Sequence, residues 1–294
     1  MIAGPESDIG SLLDWGKKHL RKNGIEDYDT SAEALLEKIT GLSRSELLIN
    51  PGRSVTHEKM EEYRNLVRRR AQHVPLQYLL GYVEFYNVRI KCDSRALIPR
   101  PETEILVDVV LKKIQGMKSP RILDIGTGSG NIAIALARNS INAYVVGVDI
   151  SIDALNLALE NAIANEVQDR ISLIAGDILD EKFVANLGAF DCVVSNPPYV
   201  AEFEKEKLQP EVIEFEPEIA LFSPGDPLRF FRAITEAAPR ILKTSGLIAF
   251  EIGLGQASEI KRIMTLGFEK LAFLKDLSGI DRVITGNLKS RYLS

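Results

Sequence analysis

From residue 121 to the end of the sequence, short apolar runs alternate with longer amphipathic stretches. Apolar runs bounded by glycine and polar residues predict buried strands, and the stretches between them predict helices. Strands that alternate with helices are typical of a parallel sheet covered on both faces. We therefore predict an α/β fold with a doubly wound, seven-stranded and mainly parallel sheet. The expected strands span residues 121–125, 143–148, 171–175, 190–195, 247–251, 270–275 and 282–285, the last two as an antiparallel pair.

Residues 1 to about 80 differ, because their apolar residues recur at helical spacing and no strand is indicated. Ser43 and Glu46 are spaced as a capping box, and Thr56 is placed to begin a long helix that ends before Pro75. No constellation of catalytic groups lies in this segment. We therefore expect residues 1–80 to form a small helical domain that docks the substrate.

In the next segment, residues 81–91, the spacing of apolar residues changes from the helical period to alternation. Alternating apolar residues predict a β-hairpin that turns near Tyr86 and Asn87, and prolines then impose an extended chain up to Pro101. We assign residues 81–100 to this hairpin and linker, and residues 101–294 to the sheet domain. The acidic stretch from 201 to 226 is predicted to be a long loop.

Composition excludes several classes of protein. The chain has 294 residues and a net charge of -5, which gives no global electrostatic reason to bind a polyanion. Cys92 and Cys192 are far apart, so we expect free thiols, no metal site and a cytoplasmic location. We expect neither a signal peptide nor a membrane span, since no apolar run has the required length.

A glycine-rich loop follows the first strand of the sheet domain. It consists of Gly126, Thr127, Gly128, Ser129 and Gly130. Glycines here permit a tight turn and a close approach of the backbone to a ligand. In the dinucleotide fingerprint the third glycine comes one residue later, so an NAD site is disfavoured. No Gly-Lys-Ser/Thr sequence follows, which excludes a Walker loop.

Polar residues also follow the next three strands. Asp149 is placed to bind both ribose hydroxyls of a cofactor, as in NAD enzymes and in S-adenosylmethionine (SAM) enzymes. Asp177 lies where an acidic residue accepts a hydrogen bond from an adenine amino group. Asn196 follows the fourth strand. Because the carboxyl ends of parallel strands meet at one edge, these residues predict one crevice. The two aspartates have an alternative role as helix N-caps.

The sequence Asn196-Pro197-Pro198-Tyr199 follows a buried strand. Two prolines fix two φ angles and remove two N–H donors, so the loop is stiff and rich in acceptors. Such a site suits an uncharged substrate that offers N–H groups, with Tyr199 as an aromatic wall. An ordinary proline-rich turn is the alternative for this motif when it is taken alone.

With both loops in place, the chain resembles class I SAM-dependent methyltransferases, which have a Rossmann-like fold. More narrowly, it resembles the bacterial peptide chain release factor glutamine methyltransferases, the PrmC/HemK family. The Asn-Pro-Pro-Tyr motif alone is shared with adenine-N6 DNA and guanine-N2 RNA methyltransferases, so the combination of motifs carries the resemblance. That combination comprises residues 75–78, 84–86, 98–104, 124–130, 196–199, 215–217, 251–253 and 275–276.

The resemblance implies methyl transfer from SAM to the side-chain amide nitrogen (N5) of the glutamine in the Gly-Gly-Gln motif of class I release factors. It implies that residues 126–130 hold the methionine portion of SAM and that Asp149 holds the ribose. Asp177 and Ile178 would hold the adenine, and residues 196–199 the target glutamine. We expect a monomer that binds no membrane and no nucleic acid directly.

A mechanism follows from the weakness of an amide nitrogen as a nucleophile, since its lone pair is delocalised into the carbonyl. The Asn196 side-chain oxygen and the Pro197 carbonyl can each accept one N–H of the glutamine amide. They would orient the nitrogen and stabilise the positive charge that develops on it. Tyr199 would pack against the glutamine or line the entrance, unless its role is purely structural.

Three other functions stay open at this point. A nucleic-acid methyltransferase acting on an exocyclic base amine would use the same motif, and Arg68-Arg69-Arg70 could serve it, although this run is most simply a solvated face. A nicotinamide-dependent dehydrogenase and a non-catalytic SAM-binding adaptor are the others. Arg100 and Glu102 are expected to brace the domain joint, and Glu251 has an equal claim to be a structural cap.

Overall fold

The computed structural model describes residues 8–290. Of these, the residues up to Tyr82 and the segment Gln209–Phe215 form one compact unit, here called the helical unit. Val83–Leu208 and the residues from Glu216 onward form the second, the sheet unit. The functional roles assigned above to residues 1–80, 81–100 and 101–294 stay predictions.

The helical unit is built around the apolar faces of its helices. The predicted capping box is confirmed, because Ser43 accepts a bond from the Glu46 N–H and the Glu46 carboxylate accepts one from the Ser43 N–H. Thr56 caps the fourth helix, as predicted. The helices are α1 Ile9–Lys22, α2 Tyr28–Thr40, α3 Arg44–Ile49, α4 His57–Arg70, α5 Leu76–Leu80 and, from the distant segment, α10 Pro210–Phe215.

The arginine run corrects one expectation. Arg68 and Arg69 are exposed, but Arg70 is only 4% exposed and does not belong to a solvated face. Its guanidinium donates to Asp27 at 2.9 Å and to Glu211 at 2.5 Å. Paired carboxylates compensate the burial of this charge, so Arg70 ties α10 to the rest of the helical unit.

The predicted hairpin follows α5 along the chain, and its strands are β1 Tyr82–Phe85 and β2 Val88–Lys91. Its turn residues Tyr86 and Asn87 both have positive φ angles, 44° and 62°. Two consecutive positive φ angles are typical of the tight turns that match the twist of a hairpin, and asparagine tolerates this conformation.

The predicted seven-stranded sheet is confirmed within the described residues, in the order β5-β4-β3-β6-β7-β9-β8. The first five strands are parallel to one another, and only β9 pairs antiparallel with its neighbours on both sides. The strands are β3 Arg121–Ile125, β4 Tyr144–Asp149, β5 Ile171–Ala175, β6 Phe190–Ser195, β7 Leu242–Glu251, β8 Phe268–Lys275 and β9 Asp281–Leu288.

Helices cover both faces of this sheet. Leu123 and Val193 belong to one apolar cluster, and Ile122 and Val194, which point to the opposite face, belong to a second. Because both faces of a central strand are buried, its sequence is a continuous run of apolar residues, as predicted. The helices of this unit are α6 Glu104–Ile114, α7 Asn131–Asn139, α8 Ile152–Ala164, α9 Glu181–Ala185, α11 Glu218–Leu221, α12 Arg229–Ile241 and α13 Ala257–Thr265.

The acidic segment 201–226 was predicted to be a loop, and that prediction is wrong. The segment contains the 3-10 helix Glu202–Lys207 as well as α10 and α11. These turns are too short to give an apolar period of their own. Contacts with distant residues hold them instead, for example the bond from the Val200 N–H to the Leu221 carbonyl at 3.1 Å.

Candidate active site

The site lies where the strand order reverses, between β3 and β6. Ile125, the last residue of β3, pairs with Ser195, the last residue of β6. The Ser195 hydroxyl also donates to the Ile125 carbonyl at 2.7 Å, which joins the two loops that follow. A crevice at such a reversal is the usual ligand site of open α/β sheets.

A cavity of about 720 Å³ opens at this edge of the sheet unit. It brings together residues predicted from four different strand ends. Two predicted site residues, Gly130 and Tyr199, do not line this cavity. The predicted residues that do line it are Gly126, Thr127, Gly128, Ser129, Asp149, Asp177, Ile178, Asn196, Pro197 and Pro198.

The glycine loop is shaped by its left-handed residues. Gly126, Gly128 and Gly130 have φ angles of 71°, 56° and 80°. Gly130 serves packing, because a Cβ there would stand 3.0 Å from the Ala158 Cβ and 3.1 Å from the Ile134 Cδ1. The third glycine therefore allows α7 and α8 to approach each other closely.

Asp149 braces this loop from the neighbouring strand. Its Oδ2 accepts a bond from the Gly128 N–H at 2.8 Å, and its Oδ1 accepts one from the Ser151 N–H at 2.9 Å. Burial raises its pKa, and these backbone bonds oppose that rise. The cap of α8 is Ser151, so Asp149 is not the N-cap. Each carboxylate oxygen retains a second lone pair for a ligand in the cavity.

Asp177 and Ile178 line the cavity from the segment that follows β5. The Asp177 Oδ1 accepts a bond from the Leu179 N–H at 2.8 Å, which fixes the turn, and Ile178 is only 7% exposed. Asp180 caps α9, so Asp177 does not have that role. An acceptor beside a buried aliphatic side chain suits one edge and one face of a flat ring.

Sequence reasoning assigned no role to Asp124, which lies on β3 and is fully buried. Its Oδ2 accepts a bond from the Thr127 hydroxyl at 2.7 Å, which holds the glycine loop from below. Burial raises the pKa of Asp124 to about 7, and the Asp149 carboxylate also raises it. An acidic residue two positions before the first glycine of the loop was the available signal.

Residues 196–199, here called the acceptor loop, follow β6 and are held by side-chain hydrogen bonds at several points. The Asn196 Nδ2 lies 3.4 Å from the Thr103 Oγ1, and the Tyr199 hydroxyl lies 3.5 Å from the Glu251 Oε1. Gln256 donates to the Tyr199 carbonyl at 3.0 Å. Burial raises the pKa of Tyr199, and the nearby Glu251 carboxylate raises it further. Tyr199 therefore anchors the loop in this structure.

Arg100 lines the cavity and pairs with Glu216, which is only 5% exposed. Glu216 also accepts a bond from the Ile98 N–H at 3.0 Å. These bonds join the segment that precedes α6 to Glu216, the residue that directly follows α10. Arg100 and Glu216 both belong to the sheet unit, so the bracing of the domain joint that the sequence suggested for Arg100 stays a prediction.

Comparison with known proteins gives two matching families. Residues 11–81 match the family described as PrmC N-terminal domain, and residues 101–220 match the methyltransferase small domain. The release factor glutamine methyltransferase of Chlorobaculum tepidum is 36% identical over 287 residues, which are 95% of this chain and 97% of the relative. The chain belongs to the release factor glutamine methyltransferase family. The member from Geobacter sulfurreducens is 38% identical over 95% of this chain and 96% of its own length.

A solved structure supports the fold independently. The catalytic domain of hMettl16, solved in complex with MAT2A 3'UTR hairpin 6, superposes with a TM-score of 0.54 at 18% identity. The match covers 70% of this chain and 77% of that domain. At this identity the likeness shows the class I methyltransferase fold alone, which confirms the predicted fold class.

Residues 8–290 contain neither a membrane-spanning helix nor a cluster of metal-ligating side chains. No helix there is both long and apolar enough to cross a membrane. No three side chains of His, Cys, Asp or Glu in that range are grouped as metal ligands.

Proposed function

We propose that this protein transfers a methyl group from SAM to the side-chain amide nitrogen of a glutamine in a peptide chain release factor. The target would be the glutamine of the Gly-Gly-Gln motif. The single observation that carries the proposal is the position of Asn196 and Pro197. Both line the same cavity as Gly126, Gly128 and Asp149, so the proposed amide acceptors and the proposed cofactor site would share one enclosure.

The residues of the cavity fit SAM. Gly126 and Gly128 line the cavity in left-handed conformations, and they would hold the methionine portion. Asp149 faces the cavity with its orientation fixed by two backbone bonds, and it would accept both ribose hydroxyls. Asp177 and Ile178 would hold the adenine edge and face.

When bound, SAM supplies a methyl group that is activated by its sulfonium. The protein would act on the other reactant. The Asn196 Oδ1 and the Pro197 carbonyl would each accept one N–H of the glutamine amide, which orients the nitrogen and stabilises its developing positive charge. A methylated and still protonated amide is a strong acid, so its proton leaves to water without a dedicated base.

The cavity's charges favour an uncharged substrate over a nucleic acid. Among the described residues, the acidic and basic side chains that line it balance, so phosphate groups find no excess of positive charge. The acidic side chains are Asp149, Asp177, Glu202 and Glu218, and the basic ones are Arg95, Arg100, Lys205 and Arg229.

The test offers a release factor, DNA and ribosomal RNA separately, each with radiolabelled SAM. We expect label on the release factor alone, and mass spectrometry should place one methyl group on the glutamine of its Gly-Gly-Gln motif. A release factor in which that glutamine is replaced by alanine is the matched control and should stay unlabelled. Label on nucleic acid alone would overturn the proposal.

A further inference from the structure

Which end of the Asn196 amide faces the cavity is decided by its hydrogen-bond partner. The Nδ2 group lies 3.4 Å from the Thr103 Oγ1, and Thr103 is only 1% exposed. A threonine hydroxyl has a single proton. Thr103 donates that proton to the Glu251 Oε2 at 2.6 Å, so toward Asn196 it can only accept. The nitrogen end of the Asn196 amide must therefore face Thr103, and the oxygen end is left for the cavity.

The side-chain bonds of Glu251 link different parts of the site. This residue ends β7 and is only 4% exposed. Its Oε2 accepts from Thr103, and its Oε1 lies 3.5 Å from the Tyr199 hydroxyl. Both partners contact or belong to the acceptor loop. Both bonds come from side-chain hydroxyl groups and not from the free N–H groups of a helix N-terminus. Glu251 therefore does not act as a structural cap of a helix.

We propose that Glu251 is a positioning residue, which acts through Thr103 to hold the Asn196 side-chain amide with its oxygen toward the substrate. The inference rests on the proposed function, in which that oxygen accepts an N–H of the target glutamine. Glu251 touches neither reactant. It specifies the direction of every hydrogen bond in the chain from Glu251 through Thr103 to Asn196.

The protonation state of Glu251 controls this direction. Burial raises the pKa of Glu251 to about 7; the Glu102 carboxylate raises it further, whereas Arg282 and the bonds from the threonine and tyrosine hydroxyls lower it. Arg100 and Arg282 also face Tyr199. A protonated Glu251 can donate to Thr103, and the threonine proton is then free to be donated to the Asn196 oxygen. The amide would turn its nitrogen to the cavity and oppose the N–H groups of the substrate.

The first test uses kinetics with SAM and a release factor. Thr103→Val removes the acceptor for Asn196 at constant shape, and we expect kcat to fall about tenfold, the worth of roughly one neutral hydrogen bond. Thr103→Ser should restore it. In an Asn196→Ala background, Thr103→Val should cause no further fall. Thr235→Val is the matched control, because Thr235 is also buried and its hydroxyl has no hydrogen-bond partner among the described residues.

The kinetic outcomes separate positioning from a structural role. A residue that merely supports the fold would lower kcat by the same factor with or without Asn196, and that result would overturn the inference. We also expect the wild-type kcat to rise with an inflection near pH 7. Glu251→Gln retains an acceptor for Thr103 but cannot titrate, so it should lack this inflection. Because the pKa of Asp124 is also raised to about 7, this comparison is made in an Asp124→Asn background, where persistence of the inflection in Glu251→Gln would contradict the role of Glu251.

A second readout needs no substrate, so it stands apart from the proposed function. The side-chain amide of Asn196 can be followed by 1H–15N NMR and assigned by its loss in Asn196→Ala. We expect its signal to shift with a midpoint near pH 7, and to stop shifting in Glu251→Gln and in Thr103→Val. An unchanged titration in both variants would overturn the inference. A normal titration without methyl transfer to release factors would overturn only the proposed function.

Discussion

Asn196 brings a side-chain oxygen and a main-chain carbonyl to the end of β6, where residues 195–198 carry no acidic or basic side chain. Its neighbours Pro197 and Pro198 contribute no N–H donor, so the loop offers acceptors to whatever enters the cavity. An amide substrate can satisfy these acceptors, and a carboxylate or phosphate cannot. The selectivity of the site would therefore begin with an absence of donors along this loop.

Asn196→Ala should retain SAM binding and lose turnover. Removal of one stabilising group at a reacting centre costs on the order of 3 kcal/mol in the barrier, which is roughly a hundredfold in kcat. Calorimetry would measure the dissociation constant of SAM, and methyl transfer to a release factor would measure kcat. Asn186→Ala, on the exposed end of α9, is the control. Kinetics like those of the wild type in Asn196→Ala would remove Asn196 from the mechanism.

Asp124 gives the stability of the protein a pH dependence. Its pKa rises from 3.8 to about 7 in the folded state, so between these values the folded protein binds more protons than the unfolded one. Stability should therefore fall as the pH rises from about 4 to 7, by on the order of 4 kcal/mol from this group.

Asp124→Asn removes the titrating group and keeps its shape. The free energy of unfolding in urea, measured from pH 4.5 to 8, should fall less steeply for Asp124→Asn than for the wild type. Glu251 contributes a fall of the same sign to both proteins, because its pKa is also raised to about 7. A difference between the two curves that stays constant with pH would contradict the prediction.

At the scale of elements, the glycine loop depends on how closely α7 and α8 approach each other. Gly130→Ala combines a left-handed φ of 80° with a Cβ placed 3.0 Å from the Ala158 Cβ. Gly188→Ala is a matched control, with the same φ of 80° and no atom within 4 Å. The backbone conformation alone costs about 1–2 kcal/mol, and we expect Gly130→Ala to destabilise by about 1–3 kcal/mol more, the range for overpacking.

Urea unfolding of the two variants measures this difference, since the backbone cost is common to both. Gly130→Ala should also weaken SAM binding, because the loop between β3 and α7 must shift to relieve the contact. Equal stabilities for the two variants would show that α8 moves aside without cost.

Elements differed in how far the sequence could predict them. The strands Arg121–Ile125, Ile171–Ala175 and Phe190–Ser195 were predicted with their observed ends, because continuous apolar runs are local signals. β7 begins at Leu242 rather than at 247, since its first residues include the exposed Lys243 and Ser245. The prediction of a loop for residues 201–226 was wrong for a different reason, because the short helices there depend on distant partners, as α10 depends on Arg70.

The same distinction applies to the candidate site. Residues at or just after the end of a strand, such as Asp149, Asp177 and Asn196, could be placed from the sequence, because strand ends of a parallel sheet share one edge. Thr103 and Gln256 could not. Thr103 is 93 residues from its partner Asn196 in the sequence, and Gln256 is 57 residues from its partner Tyr199. No local sequence pattern indicates contacts over such separations. The structure was needed to show that Glu251 connects to Asn196.

At the scale of the whole molecule, those of residues 8–290 that line the cavity all belong to the sheet unit. SAM at a hundredfold its dissociation constant should stabilise the state that binds it by about 2.7 kcal/mol. Hydrogen exchange followed by mass spectrometry should show this protection in peptides that cover 124–131, 149–151 and 176–179, whereas α1 and α2 should exchange as they do without ligand. NADH is the control and should protect neither unit. Equal protection of both units by SAM would show that they open as one cooperative body, and protection by NADH would favour a dehydrogenase.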